Sequence, residues 1–503
     1  MSLNEHNTVN RITMPIIQRD INSDVCDDFT LPEYCPEIRK VLCVRHSLLP
    51  PAKFVSGNKI DINGVVDYDL IYVSVDGRLC SAPFSSEYDI SLPLENMSAF
   101  EISEGFCATA HTVPEGSAVR VSSPRRLQIR SHLRTAVGVW GKMLCCEKIY
   151  GLEDGDESLE LERLEGNIDT LELLCESSDV ISVHDEYQLD SEDRRIATAE
   201  GGVTIKSVRV DDDTVRIGGE ISVKLVTEKG EVCDRVVRKI PFDAQTDLDG
   251  MDICDAPLCR VSGSVTDISV EVADGVANID VNVVIEACVA SKKSVGCVRD
   301  AYSTQRECKC NTRRYEIPVI ICNMNADLSQ SERVKNEEFG IPNGAEIVDV
   351  SASATVDKAE AGENGYTIHG LCKYSMILKS DGEYMSGEVR LPFRYDIEGK
   401  DGIGEINAFD VLANVYNVRV RCDGESLNVD SEISLGCSMW GSRSVDMLES
   451  IELSAPTERR TGAIIVYYPQ ADDTVWSIAK KYSVPQSDIS GDPQSDPFVM
   501  IEL

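Results

Sequence analysis

The chain has 503 residues, too many for one hydrophobic core, and 42% hydrophobic content, which is ordinary for folded domains. Its 49 basic and 86 acidic residues give a net charge of −37, a field that repels nucleic acid and anionic lipid, whose phosphates need Lys and Arg to neutralise them. No apolar run reaches the roughly 18 residues of a membrane span, and "MSLNEHNTVNRITMPIIQRD" lacks the apolar core of a signal peptide. The expectation is a soluble cytoplasmic protein with no nucleic-acid partner and no membrane insertion.

In chain order, residues 1–27 read as a tail and 28–150 as a first β unit. Its hairpin, "KIDINGVVDYDLIYVSVDGRLCSAPFSSEYD" from Lys59, has counterparts in "TVRIGGEISVKLVTEKGEVCDRVVRKIPFDA" from Thr214 and "GYTIHGLCKYSMILKSDGEYMSGEVRLPFRYD" from Gly365. The anchoring glycines Gly64, Gly219 and Gly370 are 155 and 151 residues apart, so the pattern predicts three tandem units, the second over 180–310 and the third over 311–460. Each has period-two alternation and turn pairs such as Asp76-Gly77 and Asp381-Gly382, which predicts antiparallel β-sandwiches or partly closed barrels. The glycines read as close backbone approaches inside a strand. Pro83-Phe84, Pro241-Phe242 and Pro392-Phe393 read as edge-strand entries with a buried ring, and Trp140 and Trp440 as core residues.

Residues 151–179 carry eleven acidic residues against the single Arg163 and read as an exposed connector. Leu161, Leu164, Ile168 and Leu171 would make a helical stripe, whereas Leu159 and Leu161 alternate as in a strand, so both structures stay open. The last segment, 461–503, opens with the apolar run "AIIVYY". In "ADDTVWSIAKKYSVPQSDIS", Val475, Ile478, Ala479 and Tyr482 line one helix face, and Asp473 or Thr474 can cap its start. Pro485 suits the first turn of a second short helix, Gly491 would stop it, and "FVMIEL" closes a strand–helix–helix–strand module.

Chemistry-bearing patterns are scarce. Nineteen scattered cysteines, most in apolar runs such as "VLCVRH" and "IEACVA", read as buried free thiols of a reducing compartment. Neither Cys145-Cys146 nor Cys308 with Cys310 has the C-x2-C spacing of a zinc site. The histidines His6, His46, His111, His132, His184 and His369 form no ligand spacing, and no nucleophile elbow or phosphate-cradling loop occurs. The sequence therefore predicts no cofactor, no metal and no catalysis, but a scaffold or binder.

Two resemblances sharpen this. Asp473, Thr474, Val475, Trp476, Ile478, Ala479, Tyr482 and Val484 follow in order the core pattern of the LysM domain, which the segment resembles. LysM domains commonly hold N-acetylglucosamine glycans between two loops. Here Asp472 replaces the usual glycine and "SGDPQSDP" stands where an Asn-containing loop is typical. The resemblance makes Asp472, Asp473, Thr474, Trp476 and Lys480 the candidate partner-contacting residues. "DFTLPEYCPEIRKVLCVRHSLL" from Asp28, "NGVVDYDLIYVSVDG" from Asn63 and "RKIPFDAQTDLDG" from Arg238 resemble the SPOCS domain of endospore-forming Firmicutes. Tandem SPOCS repeats with a C-terminal LysM are similar to the architecture of clostridial spore coat assembly proteins. That implies a mother-cell protein, later at the forespore surface, that tethers the coat through a coat-basement ATPase of the SpoIVA type. The alternative is a peptidoglycan-binding protein.

Overall fold

Alternation of buried and exposed side chains governs nearly the whole chain. The computed structural model describes residues 9–95, 100, 106–146, 148–150, 161–191, 193–211, 214–230, 232–247, 257–362, 365–398, 406–456 and 462–503. Along β11 (Thr214–Lys229), for example, Ile221, Val223 and Leu225 are buried while the residues between them are more exposed, so the protein is mainly β with antiparallel sheets.

The first seven strands are β1 (Val9–Thr30), β2 (Ile38–Leu48), β3 (Ala52–Ser56), β4 (Lys59–Ser74), β5 (Leu79–Pro93), β6 (Phe106–Ser123) and β7 (Arg126–Cys146). One sheet has the order β1-β7-β6; in the other β5 flanks β4 on one side, and β2 and β3 share the opposite side. After β8 (Lys148–Tyr150) come β9 (Leu161–Gln188), β10 (Arg195–Asp211), β11, β12 (Val232–Asp247), β13 (Leu258–Ala273) and β14 (Val276–Ser303), in sheets β10-β11-β12 and β13-β14-β9. The same order returns in β15 (Arg306–Lys335), β16 (Glu346–Gly362), β17 (Gly365–Ser380), β18 (Glu383–Glu398), β19 (Ile406–Asp423) and β20 (Ser426–Pro456), as sheets β16-β17-β18 and β15-β20-β19. β8 adds to β20 in parallel. Apolar faces meet inside each pair of sheets, as where Ile221, Val223 and Leu225 pack with Ile279, Val281 and Val283 of β14.

Several expectations are corrected here. The tail is, from Val9, part of β1, which pairs with β7 from Val9↔Cys146 to Thr30↔Arg126. Residues 151–160 of the acidic connector lie outside the described residues; from Leu161 on it is part of β9, paired with β14. Glu165 and Asp169 are exposed while Ile168 and Thr170 between and beside them are buried, which is the alternation of a strand, and the helical stripe does not form. The strand that opens the third pair of sheets starts at Arg306, ahead of the expected boundary at 311. The Pro-Phe pairs lie mid-strand on the flanking strands β5, β12 and β18, where a missing N–H is tolerated. Phe242 and Phe393 cover Gly219 and Gly370 across the ladder, but Gly64 is covered by Tyr88 and not by Phe84, which pairs with Tyr68.

The three pairs of sheets meet through side chains aimed by irregularities. Leu42, Ala197 and Val348 are the unpaired extra residues of bulges in β2, β10 and β16. All three are buried together with Ile71, Val226 and Ile377, as expected where a bulge redirects a side chain. Trp140 and Trp440 stack at 5.5 Å over Cys288 and Ala290. A charged cluster completes the junction. Asp349, whose side chain is 0% exposed, receives Arg45 Nη2, and Lys224 Nζ at 2.9 Å. Lys224 also meets Glu200 at 2.5 Å, and Arg45 lies 4.0 Å from Asp69.

The C-terminal module contains β21 (Ile464–Tyr467), α1 (Val475–Tyr482), β22 (Ile489–Ser490) and β23 (Val499–Glu502), in sheet order β21-β23-β22. Thr474 caps α1 in a capping box with Ser477. The expected second helix is only a 3-10 turn, Gln486–Asp488, because Ile489 turns extended to pair with Ile501. Among the described residues no helix is long and apolar enough to cross a membrane.

Three substitutions test this architecture. A methyl group at Gly370 would sit 2.3 Å from the Phe393 ring and 2.5 Å from the Thr355 carbonyl oxygen, so Gly370→Ala is expected to lose about 1–3 kcal/mol in denaturant unfolding. In the charged cluster, burial alone would raise the Asp349 carboxyl, but Lys224 and Arg45 hold it below the usual carboxylate range. Its contribution is therefore present at neutral pH and lost as pH falls through that lowered value. Burial raises Asp69 to about 6, so its charge opposes folding as pH climbs from about 4 past 6. Asp349→Ala is expected to cost about 3 kcal/mol at pH 7, the low end for breaking a buried pair, because Glu200 stays beside both cations. Asp69→Asn is expected to raise the Tm at pH 7, with the gain vanishing by about pH 4; thermal melts of both variants across that range check the opposite signs.

Candidate functional site

The C-terminal module is seated on the far end of β14. There the ladder to β9 shifts register between Val298 and Asp300, and the bulge carries the Asp300 carboxylate to α1. Trp476 donates its indole N–H to Asp300 Oδ2 at 3.0 Å, and Lys480 Nζ reaches Oδ1 at 2.5 Å and Oδ2 at 2.6 Å. Tyr302, two residues on, packs edge-to-face on Trp476 with ring centroids 4.9 Å apart and donates its hydroxyl to the Val484 carbonyl at 2.8 Å. Burial pushes the Tyr302 phenol well above its usual range, keeping it a donor. Gln486 adds a contact to Glu162 of β9 at 3.3 Å. Trp476, Ile478, Ala479, Val484, Val499 and Ile501 close around Tyr302 as one apolar cluster.

Of the five nominated partner-contacting residues, Trp476 and Lys480 are brought together, but on Asp300 of the same chain. Trp476 is 9% exposed, so it belongs to an internal seam. Thr474 is occupied as the helix cap. The Asp473 carboxylate accepts the Gln470 N–H at 2.8 Å and the Tyr467 hydroxyl at 2.9 Å, which hold it below the usual carboxylate range. Asp472 is exposed on the loop beside it. That loop is tied to the one after β22, where Gln494 Nε2 donates to the Asp473 carbonyl at 2.9 Å. The Asp492 carboxylate organises this second loop, taking the Gln494 N–H at 3.0 Å and the Ser495 hydroxyl at 2.9 Å.

Sequence reasoning missed the outer face of the small sheet. α1 covers one face, and the other presents Ile464, Val466, Tyr468, Phe498 and Met500, with Tyr468 71% exposed. Val466 and Met500 are directly paired across the strands, and the Tyr468 and Phe498 rings meet at 6.4 Å. The signal was present in "AIIVYY": a short strand apolar on both faces needs cover on both. Asp300 had no local signal among 86 acidic residues.

No protein-family model, curated protein or solved structure matches the chain. Among the described residues no group of three or more His, Cys, Asp or Glu side chains is placed to hold a metal ion; the side chains of Cys145 and Cys146 lie outside them.

Asp300→Ala is expected to loosen the seam by about 1 kcal/mol, the scale of a partly exposed charged contact. Tryptic cleavage after Arg459 or Arg460 should then accelerate about fivefold. Fluorescence should shift to the red through Trp476 alone, since Trp140 and Trp440 are buried elsewhere.

Proposed function

We propose that the protein is a non-enzymatic scaffold or adaptor of spore envelope assembly, built from three tandem SPOCS-like β-sandwich repeats and a LysM-like module that docks a protein partner. The observation that carries the reading is the apolar face of the C-terminal sheet that the described residues leave exposed, Ile464, Val466, Tyr468, Phe498 and Met500. A contiguous exposed apolar patch marks an interaction surface, and paired aromatic and methionine side chains suit a protein better than a sugar edge. The partner's chemistry follows from charge: a chain of net charge −37 steers a protein with a basic rim toward it. The family resemblance names the candidate as a coat-basement ATPase of the SpoIVA type at the forespore surface. Three β units on one chain supply length and, where more than one engages, effective concentration.

One observation keeps peptidoglycan binding as a second reading. The two loops that the LysM resemblance assigns to glycan lie side by side, although the Gln494 side chain spans them.

The test uses the full chain with Val466→Asp and Met500→Asp, whose side chains are 51% and 43% exposed and tolerate polarity in the free protein. Each is expected to weaken capture of the ATPase about tenfold or more, the equivalent of roughly 1.5 kcal/mol of apolar burial, with the Tm unchanged. Sedimentation of the unaltered chain with peptidoglycan, insensitive to both substitutions, would replace this reading with the glycan one.

A further inference from the structure

β15 carries two thiols on one face, close to the seam of the C-terminal module. Cys308 and Cys310 are two residues apart on a strand, so both side chains leave on the same side, and their sulfurs lie 3.7 Å apart. The Cys310 thiol donates to the Ala301 carbonyl at 2.9 Å, next to the Asp300 that holds Trp476 and Lys480. The ladder with β20 shifts register on both sides of the pair, between Arg306 and Cys308 and between Asn311 and Thr312. The backbone there has room to adjust that a continuous ladder would deny. Both cysteines are half-buried, within reach of a small reagent.

We propose that Cys308 and Cys310 form a reversible dithiol–disulfide site that exchanges with small-molecule disulfides. Two strand residues span about 6.4–6.8 Å between Cα atoms, the top of the range a disulfide bridges. Bond formation therefore needs side-chain rotation from the 3.7 Å contact and produces a strained link. Strained disulfides are the readily reduced, reversible ones rather than structural staples. The exchange balances in two steps. The Cys310 thiolate, its proton released to solvent, attacks one sulfur of the oxidant and expels the first thiolate, leaving a mixed disulfide on Cys310. Cys308, deprotonated in turn, attacks the Cys310 sulfur and expels the second. Two protein thiols lose two electrons and two protons, and the small disulfide is reduced to two thiols. The Cys308 hydrogen bond to Cys310 favours this order, because it holds the Cys310 thiol well below the ordinary thiol range.

The sequence "RECKCNTR" places Lys309 between the two cysteines, so trypsin separates them and the linkage can be read directly. The full chain is reduced, exposed to graded oxidised glutathione, blocked with iodoacetamide and digested. The expected product is Glu307–Lys309 joined to Cys310–Arg313, formed before the exposed Cys26 is modified and reversed by dithiothreitol. In Cys308→Ser, Cys310 should instead retain a glutathione adduct. The proposal is overturned if both cysteines remain alkylated after Cys26 has reacted, or if each carries its own glutathione with no linked pair.

Discussion

The arrangement of the three pairs of sheets depends on a buried ionic contact, in which Asp349 sits between Arg45 and Lys224. Each comes from a different pair of sheets: Arg45 from β2, Lys224 from β11 and Asp349 from β16. Apolar contact is non-directional and would accept many rotations of one unit against the next. A fully buried carboxylate accepts only those that bring both cations to it, because any other leaves a desolvated charge uncompensated. The third pair of sheets supplies the fully buried acceptor; without it Arg45 and Lys224 keep only the rim carboxylates Glu200 and Asp69. Asp69 and Glu200 at the rim make the cluster three acids to two bases, and burial raises the Asp69 carboxyl to about 6, so its charge opposes folding at neutral pH.

The surrounding junction is made by breaking strand regularity at equivalent places. A regular ladder turns alternate side chains to the core between its two sheets and to the outer face, where Ile71, Val226 and Ile377 meet. One extra residue per bulge supplies Leu42, Ala197 and Val348 as outward apolar contacts. Beside the C-terminal module the extra residue of the bulge is Arg299, and Asp300 directly after it supplies the carboxylate that meets α1. Within the ladders Gly64, Gly219 and Gly370 clear space for the rings of Tyr88, Phe242 and Phe393.

What was legible in the sequence follows the range of the interaction. The α1 helix, its start and the hairpins rest on residues a few positions apart, and they form where expected, with Thr474 as the cap. Trp140 and Trp440 are buried as read, but that they touch each other has no local cause. Acidity misled over 161–179, since it masked the short alternation in which Glu165 and Asp169 are exposed and Ile168 and Thr170 buried. Pro83-Phe84 matched its counterparts in sequence, yet the ring over Gly64 comes from Tyr88, four residues later. The site was legible only as a module: Trp476 and Lys480 were singled out, but their partner Asp300 lies 176 and 180 residues away.

That internal use of Trp476 and Lys480 decides which surface of the module is available. The helix side is spent on Asp300 and Tyr302, which leaves the proposed partner the sheet side, where Val466 and Met500 are paired and exposed. The two sides are coupled through a sheet of only three short strands: Ile465, Val499 and Ile501 pack toward Trp476, while their immediate neighbours Val466, Phe498 and Met500 face outward. A partner gripping the outer face thus holds the same strands whose inner face is fastened to β14. A module on a free tether would have to lose its freedom on binding, whereas this one has already lost it on folding, and its affinity is spared that entropy. The seam on Asp300 is in this sense part of the proposed docking surface although it touches none of it.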